Sequence, residues 1–225
     1  MPSGFSAQPA LLASRFGYRV ARRTAHKRGR ERRTRAAHGC RVDRTPPQFG
    51  CARTRGTADN AGMTWTVTPE PYDSPVAAAL WRAYYTEVSD RWYLLHEGRR
   101  TDPGELEREI AAGTGADLAP PRGRLLVARY AGEPAGTAGI RLLDGATAEL
   151  TRVFLYERMR GRGGAALLVR AAEDAARASG ARRMVLDTRG DLVEARTLYA
   201  RLGYTETEPH NAEPYAEHWF AKELG

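Results

Sequence analysis

The sequence predicts one α/β (α+β) domain over residues 63–225, with helices flanking a central mixed, mostly antiparallel sheet. Three observations lead to this prediction. Strand-like stretches are interleaved with amphipathic helical patterns, and they include a single β-α-β crossover. The 163 residues of this region are close to the size of one domain. Residues 1–62 lack such patterning and are predicted to be a separate basic extension.

The first half of the domain predicts a strand, two helices and a hairpin. Residues 64–68 alternate (TWTVT) as a short strand does. Ser74-Pro75 and Asp102-Pro103 each place a capping residue before a proline, which is typical of a helix start. The first helix carries an apolar stripe at i+4 spacing, made of Leu80, Tyr84, Val88 and Trp92. Strands at 123–130 and 134–143 flank Ala131-Gly132-Glu133, which indicates a hairpin.

The second half alternates strands with helices. A strand is predicted at 148–155, followed by a strong helix at 164–179 that Gly180 ends. A strand at 183–188 precedes a shorter helix whose apolar residues run from Ala195 to Leu202. The last two strands are predicted at 204–207 and 215–222. The complete order is β-α-α-β-β-β-α-β-α-β-β.

Charge divides the chain at the same place. Residues 1–62 hold 14 basic and three acidic residues, a net charge of +11. Residues 63–225 hold 21 basic and 24 acidic residues, a net charge of −3. A globally basic nucleic-acid-binding protein is therefore excluded. We expect the arginine-rich extension to be disordered. It could be a nucleic-acid arm, an organellar transit peptide, or upstream sequence preceding a functional chain that starts near Met63.

The positions of the cysteines and the hydropathy of the chain indicate whether to expect disulfides, a membrane span and a reducing compartment. Both cysteines, Cys40 and Cys51, lie in the extension, so no disulfide framework holds the domain together. Neither has partner residues at zinc-binding spacing, and we predict no metal. No apolar run approaches 18 residues, so we expect no membrane span. A reducing, cytoplasmic location is the simplest expectation.

A glycine-rich turn lies between the predicted strand 148–155 and the helix after it. Glycines and a helix N-terminus together suit a pyrophosphate, because backbone N–H groups and the helix dipole favour an anion. No lysine follows these glycines, which disfavours a P-loop. A dinucleotide fingerprint fits Gly161, Gly163 and Ala166, with Asp187 as its ribose-binding acid. The sequence leaves no room for the doubly wound sheet that this fingerprint requires.

Two motifs in this region resemble the GNAT superfamily of acetyl-CoA-dependent N-acetyltransferases. The family's loop pattern, Q/R-x-x-G-x-G/A, is matched by Arg160, Gly163 and Ala165, and an overlapping match begins at Arg158. The later pattern A-x-x-L-Y-x-x-x-G-F/Y is matched by Ala195, Leu198, Tyr199, Gly203 and Tyr204. The resemblance covers about residues 64–223. It implies a GNAT-like domain whose central sheet is splayed at the middle strands, with acetyl-CoA in the cleft.

The resemblance also implies site residues. The strand before the loop bulges in this family, so the backbone of Val153, Phe154 and Leu155 is expected to hold the pantetheine and polarise the thioester. The loop expected to hold the pyrophosphate consists of Arg160, Gly161, Arg162, Gly163, Gly164, Ala165 and Ala166. Many family members carry Asn where Leu192 lies here, which removes one expected contact to CoA or moves it to Asp191.

Two catalytic residues are implied in the same way. Tyr199 matches the usual general acid, although its place on an apolar stripe also fits a packed core residue. Glu149 resembles the strand glutamate that is the general base in the histone-acetylating branch. Its alternative is a surface charge paired with Arg152.

We therefore predict transfer of an acetyl group from acetyl-CoA to a primary amine of a small molecule, by direct attack on the thioester. A non-catalytic acyl-CoA sensor on the same fold and nucleic-acid binding through the extension stay open, as does a homodimer. By resemblance, the acceptor entrance is bordered by Arg91, Tyr93, His96, Glu97, His210, Asn211 and Tyr215.

Overall fold

The computed structural model describes residues 64–225. Within this range seven strands and four α-helices follow one another in the predicted order. The strands are β1 (Trp65–Glu70), β2 (Gly123–Tyr130), β3 (Glu133–Leu142), β4 (Thr147–Leu155), β5 (Arg183–Thr188), β6 (Thr205–Thr207) and β7 (His218–Glu223). The helices are α1 (Pro75–Glu97), α2 (Pro103–Ala112), α3 (Gly164–Ala178) and α4 (Val193–Arg201). The predictions for residues 1–62, and for a start at Met63, lie outside the described residues.

The strands form one sheet in the order β1-β2-β3-β4-β5-β7-β6. The pair β4–β5, which the α3 crossover connects, is parallel, and the other neighbouring strands are antiparallel. The prediction of a mixed, mostly antiparallel sheet is therefore confirmed. Strands β4 and β5 pair only over Thr147–Glu149 and Arg183–Val185. Beyond these three pairs the two strands separate, and a gap opens in the middle of the sheet.

Helices cover both faces of the sheet. On the α3 face, α3 and α4 pack on a large core that includes Ile140, Leu168, Met184, Tyr199 and Phe220. On the α1 face, α1 packs on smaller clusters that include Leu80, Val127 and Phe154. Each fully buried side chain of this kind contributes about 1.5–3 kcal/mol. Within residues 64–225, no helix combines the length and apolarity that crossing a membrane requires.

Helix α1 begins as predicted but buries a neighbouring stripe. The Ser74 hydroxyl accepts a hydrogen bond from the Ala77 amide at 3.0 Å, which caps the helix. The buried i+4 row is Ala77, Trp81, Tyr85, Ser89 and Tyr93. Of the predicted stripe, Leu80 is buried and the other members are at least half-buried. The reason is that α1 contacts α2 as well as the sheet, so its covered face is wider than one stripe.

Three local features tie the strands together. Ala131 and Gly132, at φ 51° and 85°, form the β2–β3 hairpin turn, in which both central residues need positive φ. Arg129 of β2 donates to Glu70 of β1 at 2.7 Å. Lys222 of β7 donates to both carboxylate oxygens of the buried Glu173 in α3, each at 2.8 Å.

Candidate active site

A bulge in β4 marks the start of the gap. The β3–β4 register shifts between Gly139, opposite Thr151, and Thr137, opposite Phe154. At this point Arg152 takes a φ of 53°, a left-handed conformation that is strained for a residue with a long side chain. Its guanidinium lies 4.7 Å from the centre of the Trp81 ring and 3.5 Å from the Asp117 carboxylate, and these contacts hold it there. The predicted bulge is confirmed: Arg152 and Val153 lie in it, between the pairs Thr151–Gly139 and Phe154–Thr137.

Beyond the bulge one edge of β4 faces the gap. Phe154 and Leu155 still pair with β3, opposite Thr137 and Gly136. Among residues 64–225, no strand pairs with the other edge of β4 after Glu149. Backbone polar groups in such a position need a partner, and an extended ligand with amide groups can provide one.

The glycine-rich turn leads directly into α3. Gly161 and Gly163 take φ values of 75° and 80°, which glycine adopts without strain. Helix α3 begins at Gly164 without a side-chain cap, and its first intrahelical bond is from the Leu167 amide to the Gly163 carbonyl. The amides of Gly164, Ala165 and Ala166 therefore precede the hydrogen-bond ladder and suit an anion.

The arginines of the loop are held by neighbouring groups. Arg160 donates from Nε to the Leu155 carbonyl at 2.9 Å and contacts the Glu87 carboxylate of α1. Arg158 stacks on Tyr156, and Arg162 lies over Tyr130. Arg160 thus fastens the loop to the end of β4 and to α1.

Gly164 has a packing role of its own. The Trp65 indole covers it, and a Cβ added at Gly164 would lie 2.4 Å from the ring. The same indole donates from Nε1 to the Arg162 carbonyl at 2.9 Å. Because α3 can approach β1 this closely only at a glycine, the position of the helix N-terminus depends on this residue.

An open groove of about 1180 Å³ lies between α1 and the carboxyl end of β4, and most of the residues that line it belong to α1. Phe154, Tyr156 and Arg158 border it from the end of β4, and Asp191 from the segment after β5. Open α/β sheets bind ligands at this edge, where neighbouring strands separate. Burial pushes the pKa of Asp191 up, but the guanidiniums of Arg189 and Arg91 outweigh burial and lower it.

Tyr199 lies in the core on the α3 face of the sheet. Its ring packs against Tyr204 and Phe220, with centroids 5.8 and 6.1 Å away. Burial raises the pKa of the Tyr199 phenol strongly, and Tyr84 and Asp187 raise it further. Tyr84 belongs to α1, on the opposite face of the sheet. Tyr199 is thus a packed core residue whose phenol is protonated at neutral pH and lies close to groups of the opposite face.

Glu149 lies on the α1 face beside the last β4–β5 pair. It is only 2% exposed, and its carboxylate contacts Arg141 Nε. The expected alternative of a surface-facing charge is wrong, because this side chain is buried. In the antiparallel register Arg141 is directly opposite Glu149, whereas Arg152 lies beyond it, at the bulge.

Asp187 and His210 join Glu149 at the gap. Each of the three offers an oxygen or ring nitrogen, and these atoms all lie within 4.8 Å of one another. Asp187 is two residues beyond Val185, which pairs with Glu149, so both carboxylates are on one face. Such atoms could surround a cation, but the Arg141 guanidinium beside Glu149 disfavours a metal ion. Sequence reasoning missed this cluster, because Asp187 was considered only as a ribose ligand.

The residues expected at the acceptor entrance are partly brought together. Trp92 of α1 packs edge-on to Tyr215 at 5.9 Å and stacks on His96 at 4.5 Å, so the end of α1 meets the β6–β7 loop. Two of the other members on α1 pair with charged neighbours, and the third is buried. Arg91 pairs with Asp191 and Glu194, Tyr93 is buried, and Glu97 pairs with Arg99.

Comparison with known proteins agrees with this architecture. Residues 77–204 match the model of the acetyltransferase (GNAT) family. No curated protein matches the sequence. Among solved structures, the PaiA N-acetyltransferase of Thermoplasma acidophilum, in complex with coenzyme A, is 12% identical with a TM-score of 0.55, over 72% of this chain and 99% of that one.

Two further structures give the same result. A GNAT-family acetyltransferase of Staphylococcus aureus is 12% identical with a TM-score of 0.54, over 72% of this chain and 100% of that one. An acetyltransferase of Thermus thermophilus is 19% identical with a TM-score of 0.53, over 72% of this chain and 98% of that one. At these identities the likeness establishes a shared fold.

Proposed function

We propose that this chain, an acyltransferase that belongs to the acetyltransferase (GNAT) family, transfers an acetyl group from acetyl-CoA to a primary amine of a small molecule. The observation that supports this best is the combination of three features around the gap in the sheet. An uncapped helix N-terminus follows the open edge of β4, and the buried Tyr199 phenol is close enough to Asp187 of β5 for that carboxylate to raise its pKa. A non-catalytic acyl-CoA sensor would need the first two features but not the third.

We propose that the loop from Arg160 to Ala166 holds the pyrophosphate of acetyl-CoA. The amides at the start of α3 have no intrahelical acceptor and can bind an anion, and the two positive-φ glycines add no side chains around them. Backbone groups of Val153, Phe154 and Leu155 would bind the pantetheine amides along the open edge of β4. This places the thioester where the strands part.

The reaction then needs proton transfers that the gap can supply. The amine nitrogen attacks the thioester carbonyl, a C–N bond forms, and the C–S bond breaks. We assign Tyr199 as the donor of a proton to the departing sulfur, because its raised pKa keeps the phenol protonated at neutral pH. We assign Glu149 to the removal of the amine proton. Because Glu149 is buried and bound by Arg141, it acts through another group.

The cell setting is proposed on composition alone. Residues 63–225 contain no cysteine, which fits a protein that does not depend on disulfides, and we propose a cytoplasmic location. Nucleic-acid binding through residues 1–62, and a homodimer, are separate hypotheses that salt-dependent binding and sedimentation would test.

The experiment is a thiol-release assay with the full chain, acetyl-CoA and a panel of amines, amino acids and aminoglycosides. We expect CoA release that depends on one class of amine. Tyr199→Phe should lower kcat by about 100-fold or more while the Kd of acetyl-CoA stays within about threefold. Tyr204→Phe is the matched control, because this phenol is also buried but donates to the Met184 sulfur, 3.0 Å away.

The possible outcomes separate the parts of the proposal. Tight acetyl-CoA binding with no thiol release from any amine would favour the sensor. A fully active Tyr199→Phe enzyme would refute the assignment of the acid while leaving the transferase proposal intact.

A further inference from the structure

An exposed imidazole faces two carboxylates at the mouth of the gap on the α1 face. His210 lies in the loop between β6 and β7, outside both sequence motifs. A nitrogen of its ring and a carboxylate oxygen from each of Glu149 and Asp187 lie within 4.8 Å of one another. The three residues come from three separate segments of the chain, so the fold alone brings them together.

The loop that carries His210 is fixed by its next residue. Asn211 donates from its side-chain nitrogen to Asp187 at 2.7 Å, and its side-chain oxygen accepts from Trp219 Nε1 at 2.8 Å. These two hydrogen bonds connect the loop to β5 and β7. The backbone beside His210 is thereby held next to the carboxylates, which is the kind of support that a reacting side chain needs.

The three groups differ in their access to an incoming amine. Glu149 is 2% exposed and its carboxylate is bound by Arg141. One Asp187 oxygen accepts from Asn211. His210 is the exposed member of the set. A neutral imidazole has one ring nitrogen that can accept a proton, and an exposed ring can release that proton to solvent.

We propose that His210 is the catalytic base that takes the proton from the acceptor ammonium group, and that Asp187 and Glu149 are positioning residues that orient its ring. This inference rests on the proposed function and supplies the group through which Glu149 acts.

The proton balance is complete. The ammonium gives one proton to His210, and the free amine attacks the thioester carbonyl. As the C–S bond breaks, the sulfur takes a proton from Tyr199. The attacking nitrogen loses a second proton as it becomes the amide nitrogen, and this proton restores the Tyr199 phenol. The products are the N-acetyl amine and CoA with its thiol protonated, and His210 passes its proton to water.

The test compares two histidines of the β6–β7 region in the thiol-release assay. His210→Ala should lower kcat/KM by about 100-fold or more, the usual contribution of a general base, with the Kd of acetyl-CoA unchanged. Added imidazole should restore part of the activity in proportion to its concentration, because the vacated site is open to solvent. His218→Ala is the control. This imidazole pairs with Glu206 between β7 and β6, and we expect activity within about threefold of wild type and no response to imidazole.

A third variant tests the positioning role. Asp187→Asn should lower the wild-type rate by about tenfold but should have no further effect in the imidazole-rescued His210→Ala background, because free imidazole needs no orientation. An equal loss in both backgrounds would mean that Asp187 acts independently of His210.

Each result decides the proposal. An active wild type with a His210→Ala variant of nearly equal activity overturns this inference and leaves the proposed function standing. So does an inactive His210→Ala variant that binds acetyl-CoA normally but gains nothing from imidazole. A wild type that releases no thiol with any amine overturns both proposals.

Discussion

Gly163, the residue before α3, allows the cofactor loop to be tested against a matched control glycine. Gly163 has a φ of 80°, and an added Cβ would meet no protein atom within 4 Å. Gly132, in the β2–β3 hairpin, has a φ of 85° and equally open surroundings. Gly163→Ala and Gly132→Ala therefore impose the same backbone strain at two places, of which only one is the proposed anion site.

The expected magnitudes follow from this match. An L-residue in the left-handed region costs about 1–2 kcal/mol, so both variants should lose that much unfolding free energy. For a domain of this size, the loss corresponds to a fall in Tm of about 2–8 °C. At position 163 the strain shifts the loop enough to turn one or more amides away from the pyrophosphate, while the residue stays in the left-handed region. A hydrogen bond to a charged group contributes about 1.5–3 kcal/mol, so the Kd of CoA should rise about 10- to 150-fold.

Thermal unfolding and titration calorimetry with CoA measure the two effects separately. We expect similar Tm values for the two variants and weakened CoA binding in Gly163→Ala alone. Equal CoA affinities in the two variants would refute the assignment of the loop as the pyrophosphate site. A large Tm difference between them would refute the strain argument.

Two further predictions concern stability. Lys222→Met leaves the buried Glu173 carboxylate without its main partner, so the free energy of unfolding measured with denaturant should fall by roughly 2–4 kcal/mol. Most of this loss should be recovered in the double variant with Glu173→Leu, whereas an unchanged unfolding midpoint in the single variant would contradict the prediction. The hydrogen bond from Arg129 lowers the pKa of Glu70 below its ordinary value of 4.5. The ionised carboxylate therefore stabilises the fold at pH values above 4.5, and this stabilisation is lost as the pH falls through the lowered pKa. Glu70→Gln should therefore be less stable than wild type at pH 7, with a difference that shrinks below about pH 4.5, whereas a pH-independent difference would show that charge is not responsible.

The sequence predicted features that depend on local chemistry. The Ser74 cap and the order of the elements follow from signals that span a few residues each. The Ala131-Gly132 turn is another example, because the hairpin requires positive φ at both positions. The bulge in β4, which the resemblance maps to Val153, Phe154 and Leu155, is confirmed and lies at Arg152 and Val153. The residue that adopts it, Arg152, is not one that backbone preference would select, because its conformation depends on contacts with Trp81 and Asp117.

Features that depend on register could not be predicted from periodicity. Arg141 is the partner of Glu149 because antiparallel strands place the two opposite each other, and this pairing joins residues eight positions apart. The approach of His210 to Asp187 depends on where β5 leaves β4 and on the bonds of Asn211. Neither motif contains these residues.

The three residue pairs that join β4 to β5 have a mechanical consequence. They are the only strand pairing, among the described residues, between a four-stranded half of the sheet and a three-stranded half. A ligand that hydrogen-bonds to the open edge of β4 takes the position of a missing strand and extends the short stretch of pairing between the two halves of the sheet. Occupancy should therefore stiffen the sheet, and slower amide hydrogen exchange across β4 and β5 would record it. The connection between the two halves of the sheet would then change in stability during each turnover. It would be weakest when product has left and strongest when the next acyl donor has bound.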